Sequence, residues 1–433
     1  MQQTPHLSHK VLLFDLSGRL KAMRTEILDA IRTRLQRRGL DAYLAYTPSN
    51  VFYVTGFQSF FLMQWWRMLG TVMAVVPADP AQPPALLISD FEAVQAKAIS
   101  GFKDVRPYRV WVELRDAGAL TDGPAQSAWV QQRPAQYDQA EQDALLRAML
   151  ADRGLLEGRL GTDLRYVLHD TMQRIAAFAP RLRWTDLTED LYQLRSIKYP
   201  FEVENLRRAT ELSEAGMRYA AEGASEGMTA RDMRHRYTRG VLDKAATDLR
   251  YATFSDQWVL PAVGADTRIG VDSEGDARLA PGDLIKFDCG VTLGGYRSDG
   301  GRTFAFRHVR PQAQRLYDVL AQAHHEAREL ARPGVPAHEL FDAAQGHIRA
   351  HGYPAFTRGH YGHSVGIDTF HEEPPFLSAT ERRPLRAGMV LAIETPAYSS
   401  DTGAIMIEDL VHVTEDGPEL LHQLPHELTT VGT

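Results

Sequence analysis

Five side chains able to ligate a metal occur along the second half of the chain, in the order Asp288, Asp299, His363, Glu394 and Glu408. Each stands in a segment that reads as a β-strand or a strand end. Asp288 ends the apolar run Leu284-Ile285-Lys286-Phe287, and Asp299 follows the turn-like Gly294-Gly295-Tyr296. His363 lies among glycines in Gly359-His360-Tyr361-Gly362-His363-Ser364-Val365-Gly366. Glu394 closes Met389-Val390-Leu391-Ala392-Ile393, and Glu408 closes Ala404-Ile405-Met406-Ile407. An acid ending an apolar run is costly to bury unless a cation or partner compensates it. Four carboxylates and one imidazole suit a pair of hard to borderline divalent ions bridged by carboxylates. Such a pair can share a water, lower its pKa and polarise a carbonyl, which is the chemistry of metal-assisted hydrolysis. Taken singly, each residue also has an ordinary structural reading: Asp299 or Asp288 in a turn, His363 in a core, Glu408 in a solvated pair with Asp409. The five in order carry the metal reading.

A chain of 433 residues is long for one core and implies two domains. Its 44% hydrophobic and 24% charged composition is that of an ordinary globular protein. A net charge of -7 supplies no broad basic field, so nucleic acid is not an expected partner. The single cysteine, Cys289, excludes an intramolecular disulfide, fits a reducing compartment and reads as a small core residue. No apolar stretch approaches the roughly 20 residues a membrane-spanning helix needs. The sequence Met1-Gln2-Gln3-Thr4-Pro5-His6 does not resemble a secretory signal, so the expected location is cytoplasmic.

The candidate ligands need elements to position them. Residues 18–39 carry apolar side chains at helical spacing (Leu20, Met23, Ile27, Ile31, Leu35). Ala42–Tyr46 reads as a strand, Thr47-Pro48-Ser49-Asn50 as a turn, and Val51–Thr55 as a second extended segment ending at Gly56. Gly70–Pro77 and Ala85–Ile88 are further strand candidates, so alternating helices and strands to about residue 190 imply an α/β domain with a mixed sheet. The aromatic group Phe57, Phe60, Phe61, Trp65 and Trp66 reads as core packing or a subunit contact. Leu194–Pro200 reads as an interdomain connection with Pro200 at a helix entrance. Helices are expected at 202–221, 312–331 and 337–351, with short strands between and after them.

These residues resemble a known family. Phe287-Asp288-Cys289-Gly290 with Gly295-Tyr296-Arg297-Ser298-Asp299-Gly300-Gly301-Arg302-Thr303 is similar to the two-aspartate signature of the pita-bread metallopeptidases, which include Xaa-Pro aminopeptidase, prolidase and the metal-free creatinase. Gly362–Gly366 with His371-Glu372-Glu373-Pro374 resembles the family's histidine segment; Gly388–Glu394 and Ile407-Glu408-Asp409 resemble its glutamate segments. Tyr53-Val54-Thr55-Gly56-Phe57 and Arg195-Ser196-Ile197-Lys198 are similar to the creatinase-type N-terminal domain and its connection.

The resemblance implies a two-domain α/β protein: a creatinase-like mixed-sheet domain at 1–194 and a pita-bread α+β catalytic domain at 195–433. It implies two divalent ions, manganese first and cobalt or zinc as alternatives. Asp299 and Glu408 would bridge them, Asp288 would chelate one, and His363 with Glu394 would complete the other. A metal-bridging hydroxide would attack the amide, with Glu394 relaying the proton and His371 and His360 contacting substrate. Tyr296 and Arg302 would support the aspartate hairpin. The implied activity is cleavage of the Xaa-Pro bond of dipeptides or short peptides by a homodimer. Three departures bear on the substrate. No histidine lies in Gly264–Gly282, where the family carries one at a place equivalent to Val271 or Gly270; Met406 stands where the family has arginine; and Glu394-Thr395-Pro396 replaces Glu-Pro-Gly. They leave open a related enzyme acting on a non-peptide metabolite, and a catalytically silent protein-binding module is the third alternative.

Overall fold

A computed structural model describes residues 24–113, 118, 132–264, 277–368 and 370–432, the Trp66 side chain excepted. The chain divides into two compact units, Met1–Leu194 and Arg195–Thr433.

In the first unit, helix α1 (residues 24–38) buries Ile27, Ile31 and Leu35 on one face. Leu20 and Met23, which begin the same spacing, lie outside the described residues. The sheet comprises β1 (Ala42–Ala45), β2 (Met73–Pro77), β3 (Ala85–Ser89), β4 (Asp104–Tyr108), β5 (Arg159–Thr162) and β6 (Arg183–Asp186), in the spatial order β4-β3-β2-β1-β5-β6. It is mixed, since β1 runs antiparallel to β2 and parallel to β5. Strands β1 to β3 are buried along their whole length, which is why they read as unbroken apolar runs.

Val51–Thr55 departs from the expected extended segment. It belongs to helix α2 (Pro48–Thr55), and Thr47-Pro48-Ser49-Asn50 forms that helix's entrance rather than a separate turn. The Thr47 side chain accepts from Asn50 N, Pro48 fills the first turn, and Gly56 at φ 65° stops the helix. The buried Asp163 carboxylate accepts from Tyr43 Oη (2.6 Å), Asn50 Nδ2 (2.9 Å) and both Thr47 N and Oγ1 (3.1 Å). These caps and tertiary bonds outweigh the strand propensity of the β-branched and aromatic residues. Among the aromatics, Phe61 stacks on Trp65 and contacts Phe91 and Trp111, while Phe60 is exposed.

The second unit carries an eleven-stranded sheet. It uses β7 (Phe254–Val259), β8 (Ala262–Val263), β9 (Leu284–Leu293), β10 (Tyr296–Arg297), β11 (Gly300–Phe306), β12 (His360–Ser364), β13 (Glu373–Ser378), β14 (Val390–Glu394), β17 (Glu408–Thr414), β18 (Gly417–Leu420) and β19 (Thr429–Val431). β15 (Ala397–Ser399) and β16 (Gly403–Ile405) form a separate pair. The main path is β10-β9-β11-β17-β14-β12-β13, antiparallel throughout. Two apolar clusters support it. Helices α3 (Pro200–Glu222) and α4 (Ala230–Ala245) contribute Leu212, Met217 and Met233 to a cluster with Phe287, Val291 and Phe304. Helices α5 (Pro311–Glu329) and α6 (Ala337–Ala350) contribute Leu316, Leu320 and Leu340 to a cluster with Leu391, Ile393 and Val411. Two local expectations change here: Asp288 lies in the middle of β9, and Glu408 opens β17 instead of closing the strand before it.

Candidate metal centre

Strand register sets the site. Asp288 on β9 pairs with Gly301 on β11, Gly301 with Glu408 on β17, and Glu408 with Glu394 on β14. Three carboxylates therefore stand in one rung across four strands. Side chains in one rung share a face, and so do residues two apart on a strand. Asp299, two before Gly301, and Ala392, two before Glu394, lie on that face, and Ala392 pairs with His363 on β12. Five residues distant in sequence thus converge because the strands hold them in register.

One ligand atom from each of Asp299, His363 and Glu408 lies within 4.8 Å of the others. His363 Nε2 is 3.5 Å from Asp299 Oδ2, and His371 Nε2 is 3.5 Å from the same oxygen. The outer carboxylates are held by cations of the chain: Lys286 Nζ lies 2.9 Å from Asp288 Oδ2, and Arg358 Nη2 lies 2.9 Å from Glu394 Oε1. His360 Nδ1 is 3.4 Å from that Glu394 oxygen, which brings His360 to the rim of the cluster.

Burial, reinforced by neighbouring carboxylates, holds the carboxyls of Asp299 and Glu408 well above the usual range. Burial also raises Glu394, against the pull of Arg358. Burial pushes His363 down to about 3 and His371 down to about 4, so both imidazoles are neutral near pH 7. His363 Nδ1 donates to Ser364 O at 3.0 Å, which leaves its Nε2 lone pair free toward Asp299. Among the described residues, Asp299 Oδ1 is buried with no hydrogen-bond partner. A buried, crowded, partnerless carboxylate oxygen beside a neutral imidazole is what a divalent cation would satisfy, so the residues fit a metal.

The support comes from the opposite face. Asp409 pairs in register with Ile393 and points away from the carboxylate rung, so it is no solvated partner of Glu408. It receives the Arg302 guanidinium, which also donates to the carbonyls of Glu408 (2.8 Å), Gly301 (2.9 Å) and Leu424 (3.1 Å). Arg302 thereby clamps β11 to β17. Tyr296 donates to Glu202 Oε1 at 2.8 Å. Three neighbours of the site escaped sequence reasoning: Lys286, Arg358 and Trp258, whose indole stacks on His371 at 4.2 Å. Lys286 left a signal, a charge inside an apolar run two residues before an aspartate. Arg358 and Trp258 left none, since only the tertiary fold brings them close.

Residues 204–415 match the model for metallopeptidase family M24, and residues 27–197 match that of the creatinase/prolidase N-terminal domain. The chain belongs to metallopeptidase family M24. Its resemblance to the pita-bread enzymes and its two-domain α/β class both hold. The Bacillus subtilis protein named "Putative dipeptidase YkvY" is 26% identical to this M24 chain over 401 residues, which is 93% of this chain and 98% of the relative. The solved X-Pro aminopeptidase from Thermotoga maritima has TM-score 0.73 at 19% identity, covering 93% of this chain and 99% of that one. The Xaa-Pro dipeptidase from Bacillus anthracis has TM-score 0.75 at 16% identity, covering 94% and 100%. These two likenesses show the fold. Membership in M24 implies divalent metal binding and a peptide substrate. Among the described residues, no helix is long and apolar enough to cross a membrane. Gly270 and Val271 lie outside the described residues.

Proposed function

We propose that this M24 chain cleaves the Xaa-Pro bond of dipeptides or short peptides on a centre for up to two divalent cations, ligated by Asp288, Asp299, His363, Glu394 and Glu408. Manganese is the first expectation, with cobalt or zinc as alternatives. The register of Asp288, Gly301, Glu408 and Glu394 across four strands carries this reading, because it gathers the carboxylates on one face. The names of the two solved neighbours support the choice of bond. Cations bound there would lower the pKa of a shared water and polarise the scissile carbonyl.

The chain's own groups do the rest. Glu394, at the end of β14, would take a proton from the nucleophile and pass it to the leaving nitrogen. Neutral His371, held face to face by Trp258, offers a hydrogen bond to substrate beside Asp299. His360, at the rim, is the second substrate contact. The same reading has the enzyme working as a cytoplasmic homodimer. A second reading, a related enzyme acting on a non-peptide metabolite, is favoured by Met406 at the arginine position and by the lack of histidine between Gly264 and Gly282.

The deciding experiment incubates manganese-loaded protein with Xaa-Pro dipeptides, Xaa-Pro-Yaa tripeptides and a metabolite panel. Release of the N-terminal amino acid is the expected result. No release from either peptide set would transfer the assignment to the metabolite enzyme.

A further inference from the structure

Two cations of the chain already occupy the outer carboxylates of the cluster. Lys286 is buried two residues before Asp288, on the same face of β9. Its ammonium lies 2.9 Å from Asp288 Oδ2, donates to Leu260 O at 3.3 Å and sits 5.6 Å from the centre of the Tyr398 ring. Arg358 bonds Glu394 Oε1 at 2.9 Å while its Nε donates to His360 O at 3.0 Å. Asp299 and Glu408 are different: among the described residues no lysine or arginine is paired with either, and their ligand atoms cluster with that of His363 within 4.8 Å.

The charges sort accordingly. Asp288, Asp299, Glu394 and Glu408 bring four negative charges, and Lys286 with Arg358 returns two. The two left without a lysine or arginine, on Asp299 and Glu408, equal the charge of one divalent cation; the half-buried Glu372 near them stands outside this count. Pulling a buried ammonium off its carboxylate leaves two uncompensated charges, so a second metal at Asp288 must first offset that cost. The Coulomb repulsion between the ammonium and an incoming dication adds to it.

We propose that Lys286 is a resident cation of this centre: one divalent ion binds tightly at Asp299, His363 and Glu408, and a second enters only by displacing the Lys286 ammonium from Asp288. The proposal rests on the reading of the five residues as a metal centre, and it adds that Lys286 sets how many ions are held.

The test uses full-length protein stripped with a chelator and titrated with Mn2+, read by calorimetry, by elemental analysis after gel filtration and by electron paramagnetic resonance. The wild type is expected to retain one ion, to bind a second at least tenfold more weakly, and to give the spectrum of an isolated Mn2+ at one equivalent. Lys286→Met is expected to retain two ions and show a spin-coupled spectrum at two equivalents. Two ions of equal affinity in the wild type would overturn the proposal, as would a folded Lys286→Met protein with an unchanged second step. Should Lys286→Met fail to fold, Asp288→Asn decides: it is expected to keep the tight ion at near wild-type affinity, and loss of that ion overturns the proposal. Equal affinities leave the hydrolase reading standing, whereas no metal uptake at all removes both.

Discussion

Glu394 and Glu408 stand directly opposite one another on adjacent antiparallel strands, and both side chains are buried. Like charges in facing cross-strand positions destabilise a sheet. Here the pair is tolerable because Arg358 offsets one member and a cation is expected to offset the other. Removing metal should therefore cost stability, and removing the charge should restore it. Glu408→Gln, with metal chelated, is expected to be roughly 1–3 kcal/mol more stable than the equally stripped wild type, the scale of relieving a buried unpaired charge. It should lose the stabilisation that Mn2+ gives the wild type, and turnover should fall by about a thousandfold or more, on the scale of losing metal-based charge stabilisation. Paired chelator and Mn2+ melts check both signs; a variant less stable than stripped wild type would contradict the repulsion.

Arg302 gives the next expectation. Its guanidinium is buried between Asp409 and the carbonyls of Gly301, Glu408 and Leu424. Arg302→Met leaves the Asp409 carboxylate without its main cation and several carbonyls without donors, so about 3–5 kcal/mol should be lost. Arg302→Lys supplies the charge without the planar fork and should recover only part of it. Urea unfolding of the three proteins measures the order; Lys equal to Arg would mean that charge alone matters.

How far the sequence foretold this site depends on which residues are asked about. Asp288, Asp299, His363, Glu394 and Glu408 were visible because an ionisable residue inside or ending an apolar run breaks a pattern that burial otherwise enforces. Helix α3 was visible for a similar reason, through its spacing and its proline entrance. Val51–Thr55 misled because short apolar segments look alike in helix and strand, and the decision fell to Thr47, Gly56 and the remote Asp163. Arg358 and Trp258 were invisible because their roles exist only once β12 and β7 are placed against the cluster. Glu408 and Asp409 looked like one charge pair, yet alternation along β17 sends them to opposite faces and to opposite tasks.

Glu202 supplies a pH dependence. It is buried at the start of α3, accepts from Tyr199 N (2.7 Å) and Tyr296 Oη (2.8 Å), and faces Lys198 and Glu373. Burial, against those hydrogen bonds and Lys198, pushes its carboxyl up to about 7 from an ordinary 4.5. Because its pKa is higher folded than unfolded, Glu202 opposes folding once the unfolded chain ionises it, so stability that is fully present below pH 4.5 is lost as pH rises to about 7. The loss should total about 3 kcal/mol. Glu202→Gln cannot ionise, so its stability relative to wild type should rise across that window and stay level outside it. Denaturant midpoints at pH 5 and pH 8 make the comparison; a constant difference would refute the raised carboxyl.

Cys289 should be chemically silent. It is fully buried, its Sγ lies 3.4 Å from Ser213 Oγ, and burial pushes the thiol well above its ordinary range. Since the thiolate is the reactive form, a disulfide reagent at pH 8 should modify the native protein no faster than it unfolds and the denatured protein within minutes. Rapid labelling of native protein would show that β9 opens locally.

Gly362 tests whether strand approach sets the metal site. It sits at φ 143° beside His363, and a Cβ built there would fall 2.0 Å from Ala392 O and 2.9 Å from Leu377 Cδ1. The carbonyl belongs to β14, which pairs with β12 at this position, so relief requires the two strands to move apart. That motion carries His363 away from the rung that ends at Glu394. Gly362→Ala should thus cost about 2–4 kcal/mol, combining overpacking with a backbone conformation that L side chains disfavour. It should also weaken Mn2+ binding by about tenfold or more, the size expected when a ligand's support is disturbed. Gly359→Ala is the matched control, because a Cβ there meets nothing within 4 Å among the described residues. It should leave metal affinity unchanged. If both alanines bind Mn2+ equally well, the close approach of β12 to β14 does not position His363.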